Sequence, residues 1–158
     1  MTPKTHRVFL AILGILFFKL SFGQHLNDIE ATLDSTNHTI EIKQRFTYRN
    51  NSSTAHEVLY FNDWNHAYSS KKTALAKRFG NEFNRSLHLA KDKLRGFTNI
   101  TSIVDNEYNG LEWARLSDRD IIRLELTQPL KPNQSIELFL TYEIDLPSSR
   151  FTKYGHVY

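Results

Sequence analysis

Beyond residue 24 the apolar positions follow a period of two for most of the chain. Ile29, Ala31 and Leu33 alternate with polar residues, and Asp34-Ser35-Thr36-Asn37-His38 supplies a turn. Ile40, Ile42, Gln44, Phe46 and Tyr48 then define one face of a longer strand, closed by the turn-forming Asn50-Asn51-Ser52-Ser53. Val58 to Phe61 reads as a short buried strand. Two further strands are expected at Ile121–Leu126 and Ser135–Ile144, the latter with Ile136, Leu138, Leu140, Tyr142 and Ile144 on one face. The linking Pro129-Leu130-Lys131-Pro132-Asn133 suggests an antiparallel hairpin. Short strands in this order predict a mainly β protein, an antiparallel β-sandwich with one apolar inner face per sheet.

Residues 69–95 depart from that pattern. Leu75, Phe79, Phe83 and Leu87 recur every four residues and predict a helical stripe, capped by Ser69 or Ser70. Gly80 weakens its middle, so two short helices fit as well as one. The expected architecture is a sandwich with a short helical insertion around residues 70–92. It occupies residues 24–150, with no repeat or linker dividing it, and a short tail follows at residues 151–158.

The first 23 residues read as a signal peptide. Lys4, His6 and Arg7 give a positive start, Val8–Phe18 is unbroken apolar sequence, and Ser21 and Gly23 are the small residues before a cleavage point. As a helix, Val8–Phe18 is about 16 Å long, short of a hydrocarbon core of about 30 Å, so no stable membrane span is expected. The competing readings are an uncleaved anchor or a core helix. Export places the protein in the periplasm, on the outer surface or in the medium.

Composition sharpens this picture in two ways. The chain has 158 residues and a net charge of +3, and Lys4, Arg7 and Lys19 of the leader account for all of it. Zero cysteines exclude a disulfide scaffold, a thiol nucleophile and cysteine-ligated metal. One domain with a real core is what this length supports.

Candidate chemistry is sparse. His56-Glu57-Val58-Leu59-Tyr60 is the nearest approach to a zincin motif, but Tyr60 stands where the second histidine is needed, and the run is a strand rather than a helix. No catalytic, cofactor-binding or metal-binding residue is assigned. Asn62, Asp63, Trp64, Asn65, His66 and Tyr68 form an aromatic and amide-rich loop. It suits sugar stacking or an interface, and equally a structural role with Trp64 buried at a core edge. Residues 71–95 hold eight bases against Glu82 and Asp92. Lys71, Lys72, Lys77 and Arg78 make a candidate basic face for an anionic partner, or simply a solvated helix surface. An exported chain rarely meets nucleic acid, so none is expected as partner. Six N-x-[ST] matches (Asn37, Asn50, Asn51, Asn84, Asn99 and Asn133) mark glycosylation only in a eukaryotic host.

The stretch from Val58 to Phe79, with Tyr60-Phe61-Asn62-Asp63-Trp64-Asn65-His66-Ala67-Tyr68 at its centre, resembles the N-terminal domain of the Bacteroidetes-type aminopeptidase N family of zinc metallopeptidases (gluzincins). Tyr48-Arg49-Asn50-Asn51-Ser52-Ser53 upstream is similar to that family's Y-x-N-N-S strand end. Gly96-Phe97, Pro129-Leu130-Lys131-Pro132 and Leu146-Pro147 fall in its order of landmarks, so the likeness covers roughly residues 27–155. The resemblance implies a saddle-shaped β-sandwich that precedes a thermolysin-like catalytic domain. That next domain holds G-x-M-E-N, then H-E-x-x-H with a distant Glu that binds zinc. None of these motifs occurs here, so the chain is expected to be inactive alone, with no cofactor of its own and zinc implied only for a full-length protein. Its partner would be that catalytic domain, peptides being substrates only of the whole. The expectation is of a fragment, since the family continues through further strands after Gly155-His156-Val157-Tyr158. Such a domain, separated from its partner, should expose an apolar patch. The alternative from the residues themselves is a stand-alone exported sandwich that binds glycan or protein.

Overall fold

A computed structural model describes residues 25–116, 120–153 and 155–157, so the expected signal peptide lies outside the described residues. Among the described residues seven strands are formed: β1 (His25–Asp34), β2 (Thr39–Arg49), β3 (His56–Asn62), β4 (Phe97–Asp105), β5 (Trp113–Arg115), β6 (Ile121–Leu130) and β7 (Ser135–Asp145). A helix, α1 (Ala74–Asn81), follows β3 after a turn of 3-10 helix at Trp64–Tyr68. Every strand pairing is antiparallel. The strands make a four-stranded sheet ordered β1-β2-β7-β4 and a three-stranded sheet ordered β3-β6-β5. The mainly β, sandwich-like architecture is as the alternation of the sequence led one to expect.

The β1–β2 hairpin turns where Asp34 begins its own cap. Asp34 Oδ1 accepts from the backbone N–H of Thr36 at 2.8 Å and of Asn37 at 3.0 Å, while the Asn37 amide donates to Oδ2 at 2.8 Å. These donors hold the Asp34 carboxyl below the usual carboxylate range, since they stabilise its charged form. His38 completes the turn in the left-handed region at φ 59°.

The two inner faces meet in one core. Leu59 and Leu124 from the smaller sheet pack against Ile103, Leu138 and Leu140 from the larger, with Phe46, Phe61 and Trp113 around them. Side chains of β2 alternate in toward this core at Ile42 and Phe46 and out at Lys43 and Arg45, as a period of two requires. β4 was not visible as an alternating run because a bulge between Ile100 and Ser102 changes its parity. Thr98 and Ile100 point inward before the bulge, Ile103 and Asp105 after it.

Three expectations are corrected. The Pro129–Asn133 link does not make a hairpin: β6 pairs with β3 and β5, while β7 pairs with β2 and β4 in the other sheet. The inward rows of β6 and β7 must oppose each other across the core, and Leu124 and Leu138, both wholly buried, do so. The corner is held by Asn50, also wholly buried. Its backbone N–H donates to the Gln134 carbonyl at 2.9 Å, and its side-chain amide donates to the carbonyls of Leu130 at 2.8 Å and Thr54 at 2.7 Å. The Asn50 side chain is thereby inaccessible to glycosylation.

The second correction concerns the helical stripe. Thr73, not Ser69 or Ser70, caps α1, accepting from Ala76 N–H at 3.2 Å and donating to the Ala67 carbonyl at 2.6 Å. The helix ends after two turns in a Schellman arrangement, with Phe83 N–H on the Gly80 carbonyl and Asn84 N–H on that of Phe79. Phe83 takes the left-handed position at φ 59° and is 94% exposed, so it leaves the stripe. Leu75, Phe79 and Leu87 of the stripe pack in one cluster with Ala67, Tyr68, Ala76 and Phe151. The third correction is to β3, which alternates rather than running buried throughout. Leu59 faces the core and Tyr60 is 61% exposed.

The segment after β7 is tied back to the sandwich. Ser148 N–H donates to the Leu94 carbonyl and His156 N–H to that of Pro147, both at 2.9 Å, and the rings of His156 and His38 stack at 4.2 Å. Gly96 lies so close to Pro147 that a Cβ there would stand 2.6 Å from its ring.

The covered and uncovered ends of the larger sheet's inner face differ in what truncation costs. Leu138→Ala should lower unfolding stability by about 3 kcal/mol, whereas Leu33→Ala, on a strand that buries nothing, should change it by less than about 0.5 kcal/mol. Urea unfolding midpoints of the two variants provide the check.

Candidate functional site

The loop between β3 and α1 is built on a buried carboxylate. Asp63 follows the last residue of β3, and its own N–H donates to the Asp120 carbonyl at 2.8 Å. Its Oδ1 accepts from Thr98 Oγ1 of β4 at 2.6 Å, and Oδ2 accepts from Arg115 Nε of β5 at 2.8 Å. Arg115 also donates through Nη2 to the Thr98 carbonyl at 2.6 Å, and its guanidinium lies 5.3 Å from the Trp113 ring centre. One side chain thus links the smaller sheet, the larger sheet and the loop between them.

That anchor sorts the remaining loop residues. Trp64 is 58% exposed, contrary to the alternative in which it closes a core edge, and Tyr68 is the aromatic that is buried, edge-on to it at 6.4 Å. Asn65 is buried and donates from its amide to the Asp145 carbonyl at 3.1 Å. Asn62 is exposed. Of the aromatic and amide groups that suggested a sugar site, Trp64 and Asn62 therefore face outward, while Asn65 and Tyr68 serve the fold.

Trp64 stands at the mouth of a groove of about 460 Å³ between the sheets, lined mainly by Ile40, Phe61, Ile100, Tyr142 and Ile144. A short polar chain crosses its floor: Tyr142 Oη donates to Gln44 Oε1 at 2.9 Å, and Gln44 Nε2 donates to Asn27 Oδ1 of β1 at 2.8 Å. Burial, with the nearby charge of Asp63, pushes the Tyr142 hydroxyl above its ordinary pKa, so it stays protonated. An apolar trough with an exposed indole and an amide at its rim can hold a ring stacked on Trp64 or an apolar side chain from another protein surface.

On the other side of Asp63, His66 shares a cleft of about 190 Å³ with Ser70, Lys72, Arg115 and Asp120. Burial, and then the Arg115 charge, lower the His66 pKa, against the opposing pull of Asp63 and Asp120. Burial raises the Asp120 pKa. Ser70 Oγ accepts from the Lys72 N–H at 3.1 Å within its own turn. Asp120 and Arg115 carried no local sign of their role, because Arg115 reaches Asp63 across 52 positions of sequence.

The basic residues behave as surface. Lys71, Lys72, Lys77 and Arg78 are all exposed, and Arg78 pairs with Glu82 one helical turn away at 3.0 Å. Arg95, by contrast, is buried, with Nη2 on the Ala90 carbonyl at 3.1 Å, so the basic stretch ends before it. Among the described residues no group of three or more His, Asp or Glu side chains is placed to hold a metal ion, and no helix is long and apolar enough to cross a membrane. His56, from the zincin-like run, instead lies 3.3 Å from Ser52 Oγ at the start of β3. No protein-family model matches the chain, and a search of curated proteins finds no match to it.

Two outcomes follow from the charge arrangement. Asp63→Ala should destabilise the protein by about 3 kcal/mol by stranding Arg115, and most of that loss should return in the double variant Asp63→Ala/Arg115→Met; chemical denaturation measures both. The His66 pKa is lowered on folding, so its neutral form is favoured in the fold. Its contribution is full above pH of about 6.5 and lost as pH falls below that value. The melting temperature should therefore drop between pH 7.5 and about 5.5, and His66→Gln should flatten that drop.

Proposed function

We propose that this chain is the non-catalytic N-terminal β-domain of an exported zinc metallo-aminopeptidase, packing on the catalytic domain and walling its cleft. The observation that carries the proposal is the order of the resembling segments together with the structural work each does. Asn50, in the Y-x-N-N-S-like strand end, and Pro129–Pro132 meet at the corner where the chain changes sheets. Asp63 in the aromatic stretch links both sheets, and Gly96 packs against Pro147. Residues that resemble family landmarks thus sit where the sandwich is held together. On this reading hydrolysis belongs to the whole protein, with zinc and the amino-group-binding motif supplied beyond this domain, and the protein works in the periplasm, at the outer surface or outside the cell.

A second reading is favoured by one observation, the outward Trp64 at the rim of the groove. On that reading the chain is an exported module that binds glycan or protein through Trp64 and Asn62.

The deciding test joins a sequence readout to an assay. On the first reading, the locus should continue past the codon for Tyr158 into G-x-M-E-N and H-E-x-x-H. Its product should release amino acids from an aminoacyl-nitroanilide in a chelator-sensitive way, while residues 24–158 alone should show no hydrolysis. A stop codon with neither motif behind it would sink this proposal. Glycan-array binding abolished by Trp64→Ala would then establish the second.

A further inference from the structure

The sandwich is unequal, four strands against three, and the surplus falls on β1. The smaller sheet reaches across the larger only as far as β2, where Phe61 meets Phe46 edge-on at 5.6 Å and His56 lies 6.3 Å from Tyr48. Among the described residues only the His25 end of β1 lies beside the smaller sheet, sharing a pocket with His56, Val58 and Tyr60, and all ten residues of β1 are exposed. Its register with β2 runs unbroken from His25↔Tyr48 to Asp34↔Thr39, which puts Asn27, Ile29, Ala31 and Leu33 on the inner side beside Phe46, Gln44, Ile42 and Ile40. This inner row adjoins the groove, whose wall includes Ile40 and Gln44.

Among the described residues β1 is also an edge strand, so its far side offers unpaired backbone groups. Of the protections usual at such an edge, β1 lacks Pro, Lys, Arg and a bulge and carries only carboxylates. The opposite edge, β4, carries a bulge and is bridged at Val104 by Gly110.

Charge decides what can occupy this edge. The outer row holds Asp28, Glu30 and Asp34, β1 has no Lys or Arg, and Lys43 of β2 is the one base left opposite, facing Glu30. Arg45, opposite Asp28, is committed to Glu137 at 2.6 Å. A second copy of β1, paired antiparallel with its apolar row on the same side, would set carboxylates against one another. Pairing centred on Ile29 opposes Asp28 to Glu30, and the next register opposes Glu30 to itself.

We infer that the free edge of β1 is a docking site for an extended segment of another protein that alternates apolar residues with lysine or arginine. The segment adds a fifth strand to the larger sheet, lays its apolar side chains beside Ile29 and Leu33, and sets its bases against Asp28 and Glu30. This inference does not depend on an aminopeptidase: it requires only the edge, the uncovered row and the charge.

The test uses the full chain and two ten-residue peptides, one alternating valine with lysine and the other valine with glutamate. Amide hydrogen exchange is followed at β1 and β4, and affinity by fluorescence anisotropy. The lysine peptide should slow exchange across β1 and not β4, while the glutamate peptide should do neither. Asp28→Asn/Glu30→Gln should weaken the lysine peptide by about fivefold. Ile29→Lys, at a position already 49% exposed, should abolish its binding without moving the unfolding midpoint. Equal binding of both peptides, slowing at β4 instead of β1, or unchanged affinity in both variants would overturn the inference. So would slowing of β1 exchange that rises with protein concentration in the absence of peptide, which would make the occupant a second copy.

Discussion

The buried carboxylate of Asp63 is the constraint through which most of this fold is organised. Burying a charge is costly unless it is paired and its remaining acceptor sites are filled. Asp63 meets both conditions by drawing Arg115 from one sheet and Thr98 from the other. Because Arg115 also holds the Thr98 carbonyl, the three residues behave as a unit that fixes how β4 and β5 sit across the core. The direction in which the next residues leave is set by the same unit. Trp64 is turned out, Asn65 is turned onto the end of β7, and Tyr68 is carried into the small cluster that receives α1.

A second, distant clamp works on backbone groups instead of charge. Asn50 offers its main-chain N–H and one donor of its amide to the corner between β6 and β7 and its other amide donor to the Thr54 carbonyl, while its Oδ1 accepts from Ser52. Between these two clamps the core needs little beyond aliphatic side chains. Among the described residues the imbalance of strand number then leaves most of β1 as a flap of sheet with no strand of the smaller sheet over it.

Much of the sheet structure was legible because burial on one face imposes alternation, which β2 and β7 display over their full lengths. β4 escaped notice because its bulge breaks the period in the middle, and β5 because three residues are too few to show one. The hairpin expected at Pro129–Asn133 was a local inference about a non-local choice, since the same turn chemistry serves to cross between sheets. Phe83 misled for a related reason. Spacing places it on the stripe, but the helix ends two residues before it, and it takes the left-handed site that glycine more often fills. Within the candidate site the loop could be found from its composition. Which of its members point inward could not, because Arg115 and Thr98 lie 52 and 35 positions away and nothing near Asp63 announces them.

The pairing of β2 with β7 bears on how the chain reaches this state. The bond from Tyr142 to Gln44 spans 98 positions, and the whole larger sheet depends on contacts of that reach. A chain emerging from its N-terminus can close the β1–β2 hairpin early, but the inner face of that hairpin then waits for a strand some 98 positions later. Closing so long a loop is entropically slow, and folds of this kind acquire their structure late. The hairpin therefore spends the waiting time as exposed apolar ribbon, the state in which a partner or a chaperone meets it first.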